Sequence, residues 1–202
     1  SVATPSLLAR VGREVLVPTL EAMQRRKTPF AGVLYAGLMV DESGVPWVVE
    51  FNCRLGDPET QVVLPLVSDG LTDCLWQVAH GEGVSPIRRR PGASVTTVLA
   101  SSGYPDAPRR GAAITIPDAL PDGVTVFHAG TVRDPQGILR ANGGRVLNVT
   151  AVAPAFGEAR LLSRTEKFPR RMRLSRSNRL ENLAHVEMGG SPGLRRAILV
   201  GE

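Results

Sequence analysis

Two apolar runs, Val33 to Val40 and Val45 to Asn52, are separated by only Asp41-Glu42-Ser43-Gly44, and this pair constrains the fold more than any other feature of the 202-residue chain. A polar four-residue connection containing Gly is a common way to join antiparallel strands. The pair therefore reads as a β-hairpin. Upstream, Thr4-Pro5 has the form of a helix cap followed by proline in the first turn. Leu7, Leu8, Val11, Val15, Leu16, Leu20 and Met23 then recur at helical spacing. That stripe predicts a helix buried against the hairpin, kinked or broken at Pro18.

The second strand of the hairpin ends in EFNCRLGDPET, which sets Glu50, Asn52, Arg54, Asp57 and Glu59 within ten residues. Side chains alternate along an extended strand, so Glu50 and Asn52 share one face while Val49 and Phe51 anchor the other. Residues two apart have Cα atoms roughly 6.5 to 7 Å apart, close enough for both side-chain oxygens to converge on one cation. A carboxylate and an amide oxygen are hard ligands suited to Mg²⁺. That ion takes one or two protein carboxylates and fills its other positions with water and phosphate oxygens. Arg54 continues the alternation if the strand reaches it, and offers a planar cation for phosphate or carboxylate.

Asp57-Pro58 reads as a second helix cap, with helices over Pro58 to Leu66 and Leu71 to Ala79, the latter capped by Ser68 or Asp69. Gly81 to Gly92, with three consecutive arginines at Arg88 to Arg90, reads as a surface linker and domain boundary. Beyond it, Val95 to Ala100, Ala113 to Ile116, Val124 to His128 and Arg145 to Val152 read as strands of a compact β-rich unit. His128 near a strand end and Asn142-Gly143-Gly144-Arg145 are assigned structural roles, a hydrogen-bonded histidine and a tight turn.

Composition enters through charge. The formal net charge of +5 invites a nucleic-acid partner, but residues 160 to 202 hold nine Arg and one Lys against four Glu, which leaves the rest of the chain close to neutral. The longest apolar run, Ala31 to Val40, is about half of the ~20 residues that span a bilayer, so no membrane segment is expected. Cys53 and Cys74 have no metal-binding spacing, and a reducing cytoplasm is the simplest setting. Cys53 is expected to pack as a small residue beside the strand end.

Glu50-x-Asn52-x-Arg54 at the end of an antiparallel strand resembles the metal-binding strand of ATP-grasp ligases. The longer string GVLYAGLMVDESGVPWVVEFNCRLGDPETQ, Gly32 to Gln61, is similar to the phosphoribosylamine–glycine ligase family, also called glycinamide ribonucleotide synthetases. VLASSGYP (Val98 to Pro105), VFHAGT (Val126 to Thr131) and NGGRVLNVTA (Asn142 to Ala151) resemble that family's C-terminal domain in the expected order. The resemblance covers about residues 8 to 159.

It implies an α+β fold: the C-terminal half of an ATP-grasp module over 1–88, a small β-rich domain over 92–159, and an irregular basic tail over 160–202. It implies ligation of glycine to 5-phosphoribosylamine through glycyl phosphate, giving glycinamide ribonucleotide, ADP and phosphate. Glu50 and Asn52 would hold Mg²⁺ or Mn²⁺ against ATP. Arg54 would steady the transferred phosphate and Asp57 would contact the glycine amine or substrate. The family's N-terminal portion is not represented, so the chain alone is expected to be inactive and to need that portion as a separate chain. The alternative is a non-catalytic remnant or docking module. The tail is expected to be disordered and unlike the family, the product of a reading-frame change and not a nucleic-acid-binding extension.

Overall fold

The computed structural model describes residues 3–164 and, as backbone strands, 181–185 and 195–200. Two compact units are present: one contains residues up to Thr60, Val67–Arg89 and the strand at 195–200, the other Gln61–Leu66, residues 90–164 and the strand at 181–185.

In the first unit Thr4 caps helix α1, Pro5–Val11, by accepting the Leu7 amide on its hydroxyl at 3.2 Å. Pro18 does not break the helix. Gly12–Leu16 widen into a π-turn and α2 continues over Val17–Arg25. Proline lacks the N–H that would bond a preceding carbonyl, and a widened turn absorbs the mismatch. The Thr19 hydroxyl donates to the Val15 carbonyl at 2.6 Å. Of the expected stripe, Leu7, Val11 and Val15 pack on Ala36, Leu38 and Val40 of the hairpin with Leu16 partly buried against them, whereas Leu8 and Leu20 are exposed and α2 buries no residue.

The hairpin consists of β1, Tyr35–Val40, and β2, Pro46–Asn52, paired antiparallel. Its connection is built around Asp41. Oδ1 accepts the amides of Ser43 (3.0 Å) and Val45 (2.9 Å), Oδ2 accepts the Trp47 indole (2.9 Å), and Gly44 turns the chain at φ +77°. Short polar side chains favour turns because they bond backbone N–H groups a few residues on.

Helix α3 covers only Glu59–Val63, followed by a 3₁₀ turn at Leu64–Leu66. Ser68 and Asp69 do not cap the next helix; they lie in the short strand β3, Val67–Asp69, and Gly70 is the N-cap of α4, Leu71–His80. The expected linker is also partly structured, since β4, Arg88–Arg89, pairs with β3.

The second unit has β5, Ala93–Ala100, β6, Val124–His128, β7, Thr131–Arg133, β8, Leu139–Ala141, and β9, Arg145–Ala153. Helix α5, Phe156–Leu162, packs Ala159 on Val95 and Ala153. Strand β10, Glu181–His185, completes a sheet of order β10-β5-β9-β6. Buried Leu99, Val124, Leu147, Val149 and Ala151 form its core with Ile114.

Ala113 to Ile116 is not a strand: only Ala113 bridges, to Arg140. The β7–β8 hairpin, not expected from sequence, repeats the first turn. Asp134 accepts the amides of Gln136 and Ile138 on Oδ1 and Arg140 Nε on Oδ2 at 2.6 Å, with Gly137 at φ +80°.

The irregular tail is corrected in part. Helix α5 runs past residue 160, β10 pairs with β5, and β11, Arg195–Val200, pairs with β1 to give the order β11-β1-β2. Residues 165–180, which carry most of the arginine-rich run, lie outside the described residues, and with them the expectation of disorder. No described helix is long and apolar enough to cross a membrane.

Candidate functional site

Strand β1 supplies a floor for the polar end of β2. Their register places Asn52 opposite Tyr35 and Glu50 opposite Gly37, so the carboxylate and the amide share a face, as alternation requires. The two side chains converge: Asn52 Nδ2 donates to Glu50 Oε1 at 3.1 Å. Gly37 makes room for them. A Cβ there would stand 3.1 Å from Glu50 Cγ, tighter than ordinary contact. Sequence reading missed Gly37, although a glycine inside a strand run marks close approach of another group.

Trp47 joins the same face for a reason alternation alone does not give. The pairing slips between Gly37 and Leu38, so that Glu50 faces Gly37 and Val48 faces Leu38, leaving Val49 as an extra residue. Such a β-bulge re-aims the residues beyond it. Trp47 therefore lies opposite Met39, on the side of Glu50 and Asn52, instead of alternating with Val49 and Phe51.

The opposite face does not anchor the strand as expected. Val49 is 57% exposed and Phe51 38%. Val49 is the bulged residue, and Phe51 lies with Val48 beside an apolar groove of about 400 Å³ lined also by Val15, Pro18, Ala22 and Met23. This groove is on the far side of β2 from Glu50 and Asn52, and its lining is mostly apolar. We therefore take the polar face, not the groove, as the site of chemistry.

Arg54 and Asp57 follow on the segment leaving the sheet. Strand β2 ends at Asn52, two residues short of carrying Arg54 onto the shared face. The exposed Arg54 guanidinium donates to the Leu55 carbonyl at 3.0 Å. Helix α3 begins at Glu59, so Asp57 is not the N-cap of a helix started by proline. The Gly56 carbonyl instead accepts the Thr60 amide at 3.0 Å as well as its hydroxyl, and the Glu59 carboxylate folds over Gly56 where a Cβ would collide with it. Cys53 is exposed rather than packed.

In the second unit His128 is hydrogen-bonded to the Thr131 hydroxyl at 3.0 Å. Gly143 and Gly144 permit close packing, their carbonyls accepting the Ser101 hydroxyl and amide, each at 2.7 Å. Both agree with structural roles.

The donor set fits a divalent cation of the magnesium type: two oxygen-bearing side chains side by side, Glu50 exposed and Asn52 half-buried, with solvent free to fill the remaining positions. Among the described residues no group of three His, Cys, Asp or Glu forms a closed metal site. The chemistry available is that of an open, sparsely ligated cation shared with an incoming anion.

Comparison with known proteins identifies the family of the chain. Residues 1–60 match the family described as "Phosphoribosylglycinamide synthetase, ATP-grasp (A) domain", and residues 94–167 match "Phosphoribosylglycinamide synthetase, C domain". The second match runs past Ala159, where the resemblance was expected to end. A phosphoribosylamine–glycine ligase of Chlorobaculum tepidum is 50% identical over 159 residues, covering 77% of this chain and 37% of the relative. One from Caulobacter vibrioides is 45% identical over 162 residues, covering 79% and 38%. The chain thus spans little more than a third of the curated relatives it matches. The crystal structure of the Thermotoga maritima phosphoribosylamine–glycine ligase superposes with a TM-score of 0.69 at 33% identity, covering 91% of this chain and 43% of that one. A biotin carboxylase domain from Hydrogenobacter thermophilus, at 16% identity and TM-score 0.51, shares the fold alone.

Proposed function

Because the chain belongs to the phosphoribosylglycinamide synthetase family, we propose that it is part of an ATP-dependent ligase that joins glycine to 5-phosphoribosylamine. The products would be glycinamide ribonucleotide, ADP and phosphate. The observation that carries this reading is the Glu50–Asn52 pair, 3.1 Å apart over a glycine floor at the end of β2. On this reading residues 1–88 belong to the ATP-grasp module, 92–159 form the C-terminal domain, and the enzyme is cytoplasmic.

Glu50 and Asn52 would hold Mg²⁺ or Mn²⁺ against the ATP phosphates. The cation, when bound, supplies charge neutralisation and orientation for phosphoryl transfer. Glu50 brings the negative charge that retains it, and Asn52 brings a neutral oxygen and fixes the carboxylate by hydrogen bonding. ATP phosphorylates the glycine carboxylate to glycyl phosphate, and attack by the phosphoribosylamine nitrogen then expels phosphate. Arg54, exposed just beyond the strand, would turn its guanidinium onto the transferred phosphate, where two parallel N–H donors suit a pair of oxygens. Asp57, three residues on, would accept from the glycine ammonium and hold its carboxylate toward ATP.

Since the chain matches 37% and 38% of its relatives' lengths, the activity is assigned to it together with the remaining part of the family polypeptide. The test is ATP- and glycine-dependent product formation by the chain combined with that part, taken from the C. tepidum relative. Product is expected, lost in Glu50→Gln and strongly reduced in Asn52→Ala. A folded, associated pair that makes no product would leave a non-catalytic docking module as the better account.

A further inference from the structure

We infer that the groove between α2 and β2, together with the free edge of β2, is the docking surface for the part of the family polypeptide that this chain does not match. The inference rests on the family reading and names the surface through which the ligase is completed.

Amphipathic helices and sheet faces of globular proteins bury their apolar side. Here α2 has no buried residue, although it carries Val17, Leu20, Ala22 and Met23, and Val17 and Leu20 are strongly exposed. On the facing strand Val48 is 44% exposed and Phe51 38%, and these two with Val15, Pro18, Ala22 and Met23 line the groove. Glu14 and Arg26 also line it, so the apolar interior carries one charge of each sign. An apolar interior with a few charged groups is the anatomy of a protein contact rather than of an anion site.

Strand β2 adds a second feature. Among the described residues it is the edge of the order β11-β1-β2, seven residues long. Long apolar edges are normally blunted by charge, proline or cover, because their unpaired N–H and C=O groups accept another strand. Beyond Pro46 at its start, β2 has no such protection until Glu50, and its middle is Trp47-Val48-Val49. What would cover both features is indicated by length. The relatives continue for more than half of their sequence outside the matched region, and the Thermotoga structure is covered only to 43%. The occupant is thus an apolar segment of that remainder, seated in the groove and adding a strand to β2.

The test co-expresses this chain with the unmatched portion of the C. tepidum relative and measures co-purification and affinity. Val48→Lys and Phe51→Lys are each expected to weaken association by about tenfold or more, because each places a charge in the buried contact. Ile138→Lys, an exposed position in the second unit, is expected to leave it unchanged. Should the unmatched portion not survive as a separate chain, the two are joined as one chimera. Val48→Lys should then lower the midpoint of urea denaturation of the chimera's first unit while leaving that of the 202-residue chain unchanged.

Equal association, or an equal midpoint, for native and substituted forms overturns the inference. So does a dimer of the chain alone that Val48→Lys disperses, since a second copy would then be the occupant. Association without product removes the ligase reading and keeps the surface; product formation indifferent to Val48→Lys does the reverse.

Discussion

Replacing Gly37 tests whether the polar face of β2 is built to present Glu50. Gly37 is not at positive φ, so alanine is compatible with its backbone. Restricting the unfolded chain by Gly→Ala at such a site adds about 0.4–1 kcal/mol of stability. The same Cβ would lie 3.1 Å from Glu50 Cγ, 3.6 Å from the Glu50 carbonyl oxygen and 3.7 Å from the Tyr35 ring, so only the Glu50 side chain is pressed, by a few tenths of an ångström. Valine adds two methyl groups at that point and drives the carboxylate off its position beside Asn52. Small displacements matter because magnesium demands ligands at about 2.0–2.1 Å in near-octahedral array. Disturbing the support of a metal ligand typically lowers affinity by about 10–100-fold. Stability and metal binding should therefore part company. Gly37→Ala keeps or raises the denaturation midpoint with a modest loss of affinity, and Gly37→Val binds at least about tenfold more weakly while still folded. The assay is Mn²⁺-induced broadening of the Asn52 side-chain amide resonances, which reports even millimolar sites, with Glu50→Gln as the reference for complete loss. If Gly37→Val broadened like the native chain while Glu50→Gln did not, the glycine floor would have no role. If Glu50→Gln also broadened normally, this face would not be the metal face.

The two aspartate-centred turns give a pH prediction. Hydrogen bonds from the Trp47 indole, the Ser43 hydroxyl and the Val45 amide hold the Asp41 carboxyl down at about 2, against an ordinary value of 3.8. Desolvation pulls Asp134 upward, but the Arg140 side chain and the Ile138 and Gln136 amides outweigh it and leave that carboxyl lowered as well. Both folded values lie below the unfolded ones, so the stabilisation is complete above the ordinary carboxylate range and is lost as pH falls toward the folded values. Trp47 indole and Arg140 Nε–H resonances should report loosening of the two hairpins in that acid window, and Asp41→Asn and Asp134→Asn should flatten the dependence. In the second unit, Gly144→Ala would drive a methyl into the Tyr104 ring and is expected to cost about 1–3 kcal/mol by overpacking, read by urea denaturation. Leu147→Ala, at a position with no exposure, should cost about 2–5 kcal/mol through the cavity it leaves.

What was legible in the sequence follows from which interactions are local. The Thr4 cap, the 3.6-residue stripe of α1 and the DESG reversal depend on neighbours along the chain, and all three appear in the structure. Convergence of Glu50 and Asn52 follows from a period of two and needs no tertiary information. DPQG, Asp134 to Gly137, uses the same Asp-x-x-Gly device as DESG and was equally readable. It does not stand out as a hairpin because the strands beside it, Thr131–Arg133 and Leu139–Ala141, are too short to show alternation. The reading of Asp57-Pro58 failed for a different reason. Helix α3 begins only at Glu59, and its entry is set by the Gly56 carbonyl accepting the Thr60 amide, a contact the dipeptide does not record.

The bulge at Val49 and the exposure of β2 were not legible, because both are set by partners. A one-residue slip against β1 decides whether Trp47 joins Glu50 or Phe51, and nothing within PWVVEFN records the register of the strand opposite. Alternation likewise divides β2 into two faces without saying what covers either one. The sequence reading supplied a buried anchor at Val49 and Phe51 because strands of this composition are normally covered, and that inference treats hydrophobicity as evidence of contact within the same chain. Hydrophobicity is evidence only that contact is favourable. Val49 and Phe51, expected as an internal anchor, stand open beside the likewise exposed Val48 in a chain that matches about a third of its relatives' length, and they are the residues on which the proposed docking surface rests.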